Sequence, residues 1–143
     1  MRGYVKLALF LAVVFSGGLI AMPLHEYGHY IVGTALGLEG AIYFDHVTFT
    51  TPPDILTKLA GGLIAGAALL ALAALSRKPY GYGFLPAAIT HLSYAPFDSA
   101  PGSQFLGAIV MGVASFIIGI YLVNAGKLDD DLYLVYTGEF EVI

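Results

Sequence analysis

Long stretches without charge alternate with short polar segments along this chain of 143 residues. Four stretches contain no Asp, Glu, Lys or Arg, at 7–24, 59–75, 79–97 and 99–126. A helix that crosses a bilayer needs about 20 apolar residues, with about 17 as the lower limit. The pattern therefore predicts three or four transmembrane helices, over residues 5–36, 57–76, 83–98 and 104–124.

Prolines and glycines indicate where the predicted helices bend or end. Pro23 removes one backbone hydrogen bond and its ring clashes with the preceding turn, so we expect a kink in the first helix. Gly37 is the expected end of that helix, because glycine is common directly after a last helical turn. Pro86 and Pro96 lie within the segment 83–98, and we therefore expect a broken helix there.

The segment between the first two predicted helices has a different composition. It begins at Ala41, ends at Thr50 and reads AIYFDHVTFT, which is rich in β-branched and aromatic residues. Such runs are typical of strands, so we expect a small β-strand or hairpin over 41–50. The predicted fold is an all-α integral membrane protein of one domain, 1–143, with this β element and a C-terminal tail over 127–143.

The composition supports this class and argues against others. Hydrophobic residues make up 58% of the chain and charged residues 11%, whereas soluble domains have about 25% charged residues. The chain has no cysteine, which excludes disulfides and cysteine-based zinc sites. Its net charge of -4 and its lack of a basic cluster argue against binding to nucleic acid. We expect a multi-pass protein in a lipid bilayer, in the cell membrane of a prokaryote.

One motif in the first predicted helix carries chemistry. Residues 25–29 read HEYGH, an H-E-x-x-H motif. His25 and His29 are four residues apart and lie on one face of a helix, where both imidazoles can bind one metal ion. Glu26 projects about 100° around the helix from His25, close enough to take a proton from a water molecule at the ion. This arrangement is typical of zinc hydrolases; the alternative is a pair of structural histidines bonded to neighbouring carbonyl groups.

A catalytic zinc ion usually has three protein ligands, so a third ligand must come from elsewhere. We favour Asp98, the only acidic residue between Lys78 and Lys127, because nearby prolines free its segment from a helix. His91 is its main competitor, since imidazole is also a common zinc ligand; otherwise we expect it to be a hydrogen-bonded group that lines the site. The less favoured candidates are Asp45, Asp54 and His46, the last expected to be a surface residue of the strand.

These features together resemble the site-2 protease family of intramembrane zinc metalloproteases. The HEYGH motif lies at the end of a long apolar helix, as in that family. The segment LAGGL at 59–63 is similar to the family's A-G-P-L segment, with Gly62 in place of the proline. The segment PFDS at 96–99 is similar to the family's P-L-D-G, with phenylalanine for leucine and serine for glycine. The resemblance covers residues 7–103.

The resemblance implies a ligand set and a reaction. It implies that His25, His29 and Asp98 bind one Zn²⁺ ion and that Glu26 is the general base. It also implies hydrolysis of a peptide bond in or near a transmembrane helix of a membrane-protein substrate. The family has an asparagine eight residues before the aspartate, where this chain has a threonine. The candidates for positioning the substrate or the oxyanion are therefore Thr90, His91 and Tyr94.

The strand region over 41–50 could hold an extended substrate by β-augmentation. Two other functions fit the same residues. A non-catalytic metal-binding membrane protein, such as a degenerate protease homologue, would bind zinc or a partner helix and hydrolyse nothing. A small ion transporter would use Glu26 and Asp98 as ion ligands and would conduct ions. Turnover and ion flux therefore distinguish the three hypotheses.

Overall fold

The computed structural model describes residues 2–76, 80–98 and 102–125. Within them the chain forms four α-helices, α1 (Arg2–Ala35), α2 (Ile55–Leu75), α3 (Leu85–Tyr94) and α4 (Ser103–Asn124). A hairpin of two strands, β1 (Gly40–Ile42) and β2 (Val47–Phe49), connects α1 to α2. Short 3₁₀ turns precede and follow α3, at Tyr80–Phe84 and Ala95–Phe97. The predicted tail over 127–143 lies outside the described residues.

Three helical segments are long and apolar enough to cross a membrane: Phe10–Ala35, Ile55–Leu75 and Phe105–Asn124. α3 has ten residues, and at about 1.5 Å per residue it is roughly half as long as a bilayer core of about 30 Å requires. Pro86 lies in its first turn and Pro96 in the 3₁₀ turn that follows it. The prediction of a mainly helical fold with a small β element is therefore confirmed, with three candidate spans in the described part of the chain.

α1 continues through Pro23 and ends in a defined cap. Gly37 has a φ of 87°, a conformation that favours glycine because it has no Cβ. The backbone N–H of Leu38 donates to the carbonyl of Gly33 at 2.9 Å, and the N–H of Gly37 donates to the carbonyl of Thr34 at 3.0 Å. These two hydrogen bonds form a Schellman motif, which closes the helix and turns the chain towards β1.

The β element is a hairpin rather than one continuous strand. Its strands are antiparallel, with the pairs Gly40–Phe49, Ala41–Thr48 and Ile42–Val47. The N–H of Tyr43 donates to the carbonyl of His46 at 2.8 Å, and this four-residue turn divides the predicted β segment in two. A Cβ at Gly33 would overlap the ring of Phe49. The hairpin therefore packs directly on α1.

Glycines allow α2 to approach its neighbours closely. A Cβ at Gly28 of α1 would lie 2.9 Å from the carbonyl oxygen of Ala60 on α2. A Cβ at Gly62 would lie 2.5 Å from the Cβ of Ala95, directly after α3. Spacings this short leave no room for a side chain, as is typical of helices that pack through small residues. α2 thereby contacts both α1 and the end of α3, which carry the candidate site residues.

Candidate metal centre

The structure brings three of the sequence-predicted residues together. His25 and His29 lie one turn apart on α1, and Asp98 directly follows the 3₁₀ turn after α3. Oδ2 of Asp98 is 2.8 Å from Nε2 of His29 and 3.2 Å from Nε2 of His25. The two Nε2 atoms are 3.0 Å apart. All three ligand atoms lie within 4.8 Å of one another, so this group could hold a metal ion.

Asp98 is held by the backbone that leads from α3 to α4. Its N–H donates to the carbonyl of Ala95 at 3.4 Å. Its carbonyl accepts a hydrogen bond from Oγ of Ser103, the first residue of α4, at 2.9 Å. Both bonds use backbone atoms of Asp98, and its carboxylate contacts the two imidazoles. The segment that the prolines were expected to free from a helix is thus the segment that delivers the carboxylate.

His29 is oriented by α2 through its other ring nitrogen. Its Nδ1 is 2.6 Å from the backbone carbonyl oxygen of Thr57. A carbonyl oxygen only accepts, so Nδ1 carries a hydrogen, and in the neutral ring Nε2 is then the nitrogen that can bind a metal ion. Histidines that bind metals usually donate their second N–H to a fixed acceptor in this way. Sequence reasoning missed Thr57, because a backbone carbonyl leaves no residue-type signal.

The first turns of α2 contact the His29 ring and leave space for it. Asp54 caps the helix, and its carboxylate accepts a hydrogen bond from the N–H of Thr57 at 2.7 Å. This bond lowers the pKa of the Asp54 carboxyl below its ordinary value. One turn further on, a Cβ at Gly61 would overlap the imidazole of His29. Asp54 is therefore occupied by the helix cap, while Gly61 leaves the space that the His29 ring fills.

The residues predicted to position substrate lie on α3. Nδ1 of His91 is 3.2 Å from Nδ1 of His25, and the ring centroids are 5.1 Å apart. His91 thus contacts the ring nitrogen of His25 that points away from Asp98, and it is outside the group of three. Thr90 is buried, and its Oγ donates to a carbonyl one turn earlier in α3 at 2.8 Å. The side chain of Tyr94 lies outside the described part of the structure.

The remaining ligand candidates form a pair in the hairpin turn. Nδ1 of His46 is 2.8 Å from Oδ1 of Asp45, and both side chains are more than half exposed. The hydrogen bond to His46 lowers the pKa of the Asp45 carboxyl. The His46 ring also stacks on Tyr43, with centroids 4.5 Å apart. Neither Asp45 nor His46 belongs to the metal group.

Glu26 follows His25 on α1 and is half-buried. It lies near enough to His25, His29 and Asp98 for a Coulombic interaction with each. The candidate general base is therefore beside the metal group.

No protein-family model, no curated protein and no solved structure matches this chain. What points to a function is therefore the site itself. The described residues supply two imidazoles, one carboxylate from a distant segment and a neighbouring glutamate. Two of the ligands and the glutamate lie in a helix that is long and apolar enough to cross a membrane.

Proposed function

We propose that this protein is a zinc-dependent intramembrane protease. It would hydrolyse a peptide bond in or near a transmembrane segment of another protein in a cell membrane. The observation that carries the proposal is the convergence of His25, His29 and Asp98 within 4.8 Å, with Glu26 beside them. Asp98 is separated from His29 by 69 residues, so the group depends on the tertiary fold and not on one local motif.

The donor set suits zinc. Two imidazole nitrogens and one carboxylate oxygen are a usual catalytic zinc set, which leaves one coordination position open. Ligands at about 2.0–2.2 Å from one tetrahedral ion lie roughly 3.3 Å from one another. The three observed separations are 2.8, 3.0 and 3.2 Å, so the donors need to part by only a few tenths of an ångström. Magnesium and calcium favour oxygen ligands and fit this nitrogen-rich set less well.

Each residue of the site then has a distinct role. His25, His29 and Asp98 would hold the zinc ion, which supplies Lewis-acid polarisation of a carbonyl and acidifies water when it is bound. Glu26 would take a proton from the attacking water and return it to the leaving amine nitrogen. Thr57 would keep His29 in the tautomer that binds a metal, through the hydrogen bond from Nδ1.

The location of the site supports a membrane substrate. His25 is 5% exposed, and it lies within the candidate span Phe10–Ala35. A helical substrate hides its carbonyls in its own hydrogen bonds, so it must be locally extended before cleavage. In the described residues the sheet has two strands, and β1 pairs with β2. The outer edge of β1 would pair with such an extended segment.

Glu26→Gln tests the catalytic proposal. Wild type and variant are reconstituted in vesicles with a panel of single-span membrane proteins, and cleavage products are identified by mass spectrometry. We expect the substitution to lower the cleavage rate by about 10²- to 10⁴-fold, the usual contribution of a general base, while the zinc content stays that of wild type. Ser16→Ala is the matched control, because Ser16 is exposed on the same helix and bonds to Ala12. Equal cleavage by wild type and Glu26→Gln would contradict the proposal.

Crosslinking tests the role of the hairpin. The chain has no cysteine, so a single cysteine can be introduced by Ala41→Cys on β1 in the Glu26→Gln background. We expect it to crosslink, near the bond that wild type hydrolyses, to the panel members that wild type cleaves. Ser16→Cys serves as the control at a distance from the hairpin. Crosslinks of equal yield at both positions would argue against strand pairing.

The cleavage assay of wild type also separates the proposal from its alternative. If wild type binds zinc but cleaves no member of the panel, a non-catalytic metal-binding protein is favoured.

A further inference from the structure

His25 is contacted on both of its ring nitrogens. Its Nε2 faces Asp98 at 3.2 Å and His29 at 3.0 Å. Its Nδ1 faces Nδ1 of His91 at 3.2 Å, and the two rings are tilted by 45°. His25 is also the most buried member of the metal group, with its side chain 6% exposed against 12% for His29 and 19% for Asp98. The zinc chemistry proposed above does not use the contact with His91.

If His25 binds a metal, the hydrogen bond between His25 and His91 can have only one donor. A neutral imidazole carries one hydrogen, and the nitrogen that binds a metal must be without it. Nε2 of His25 faces the metal group, so the hydrogen must be on Nδ1. Nδ1 then donates to Nδ1 of His91, which accepts, and the hydrogen of His91 must be on its own Nε2.

We propose that His91 is a positioning residue that selects the metal-binding tautomer of His25. This inference rests on the proposed zinc site and adds a residue to it. His91 would do for His25 what the carbonyl of Thr57 does for His29. The two metal-facing imidazoles of α1 would thus be oriented by different neighbours, one by the backbone of α2 and the other by a side chain of α3.

The packing of α3 suits this role. A Cβ at Gly62 would come 2.7 Å from the backbone carbonyl oxygen of His91 and 2.5 Å from the Cβ of Ala95, so α3 is in close contact with α2 at this level. Oγ of Thr90, the preceding residue, bonds to the carbonyl of Pro86. His91 is therefore carried by a packed helix, as a residue must be if it orients a ligand by a single hydrogen bond.

Two substitutions separate the hydrogen bond from the shape of the side chain. His91→Asn places an amide oxygen near the position of Nδ1 and can accept the hydrogen bond. His91→Leu has a similar branched shape and no acceptor. Loss of the partner of a metal-binding histidine typically weakens metal affinity 10- to 100-fold. We expect a loss in that range for His91→Leu and an affinity close to that of wild type for His91→Asn, in zinc competition against a chelator.

Spectroscopy provides readouts that a merely structural role would not change. Bound Co²⁺ should show altered visible absorption bands in His91→Leu and wild-type bands in His91→Asn, because the ligand field depends on the orientation of His25. Ile89→Ala, on an exposed position of α3, is the matched control and should match wild type. Altered bands or weakened zinc binding in Ile89→Ala to the same extent as in His91→Leu would overturn the role of His91.

The tautomers can also be measured in the wild-type protein, which avoids any folding defect of a variant. The chain has four histidines, so the ¹⁵N imidazole spectrum of the zinc-loaded protein can be assigned. We expect the hydrogen of His25 on Nδ1 and that of His91 on Nε2. A hydrogen on Nδ1 of His91, or equal zinc affinity in wild type and His91→Leu, would overturn this inference alone. Wild-type protein that binds no zinc would overturn the proposed function as well.

Discussion

His29 on α1 and Thr57 on α2 are joined by a hydrogen bond of 2.6 Å between Nδ1 and the backbone carbonyl oxygen. Because the carbonyl can only accept, this bond sets which nitrogen of His29 carries the hydrogen. It leaves Nε2, 2.8 Å from Asp98, as the nitrogen available to a metal. The contact between these two helices therefore affects the chemistry of the site as well as the packing of the fold.

The space around the His29 ring leads to a prediction for Gly61→Ala. The added methyl group would overlap the imidazole, whereas a Cβ at Gly112 of α4 would meet no atom within 4 Å. We expect Gly61→Ala to destabilise the protein by about 1–3 kcal/mol through overpacking and to weaken zinc binding. Gly112→Ala should stabilise α4 by roughly 0.5–1 kcal/mol, because alanine is the better helix former. Thermal unfolding and zinc titration of both variants check this; equal zinc affinity in the two would contradict it.

The cap of α2 leads to a pH prediction. The hydrogen bond from the N–H of Thr57 lowers the pKa of Asp54 from its ordinary value of 3.8. The stabilisation by the charged cap is therefore complete above that value and is lost as the pH falls through the lowered one. Asp54→Asn keeps a good cap but does not titrate. We expect the thermal midpoint of wild type to fall relative to that of Asp54→Asn as the pH is lowered.

The other acidic groups titrate in both proteins, so the difference between the two midpoints isolates Asp54. Asp54→Ala removes the cap at every pH and should be less stable than Asp54→Asn throughout. If the difference in thermal midpoint between wild type and Asp54→Asn does not change with pH, the charge of Asp54 contributes nothing to stability.

Metal removal leads to a further prediction. An ion shared by α1 and Asp98 would connect the first helix to the link between α3 and α4, and it would bind the folded state alone. At free zinc 100 times above the dissociation constant, such binding stabilises the fold by about 2.7 kcal/mol. We expect a chelator to lower the thermal midpoint of wild type and to leave that of a His25→Ala, His29→Ala double variant unchanged. A similar shift in both proteins would place the metal elsewhere.

Asp98→Asn refines the test of the ligand set. Asparagine keeps the size of the side chain and the backbone bonds to Ala95 and Ser103, but it removes the charge. We expect weaker zinc binding and a smaller chelator effect than in wild type, measured in the same titration. Zinc affinity equal to that of wild type would exclude the Asp98 carboxylate as a ligand.

Much of the fold follows from local patterns. The uncharged stretches predict α1, α2 and α4, because a long apolar helix satisfies its own backbone hydrogen bonds and needs no distant partner. Gly37 ends α1 because the closing turn of the helix needs a positive φ at one residue, and glycine adopts that φ without strain. The residue types over 41–50 predict a strand or a hairpin and do not distinguish the two, because they do not show where the segment turns.

Some residues of the site also follow from a local pattern, and others depend on tertiary packing. Helical geometry alone puts His25, Glu26 and His29 in one region of a helix, because it fixes the spacing of residues within one turn. Which of the candidate third ligands joins them depends on the tertiary structure. Asp98 does, while Asp54 caps α2, Asp45 pairs with His46 in the hairpin turn, and His91 lies behind His25. That outcome depends on how closely α2 packs against α1 and α3 at its glycines. Residues so far apart in the chain meet only through the packing of the whole fold, which no local pattern determines.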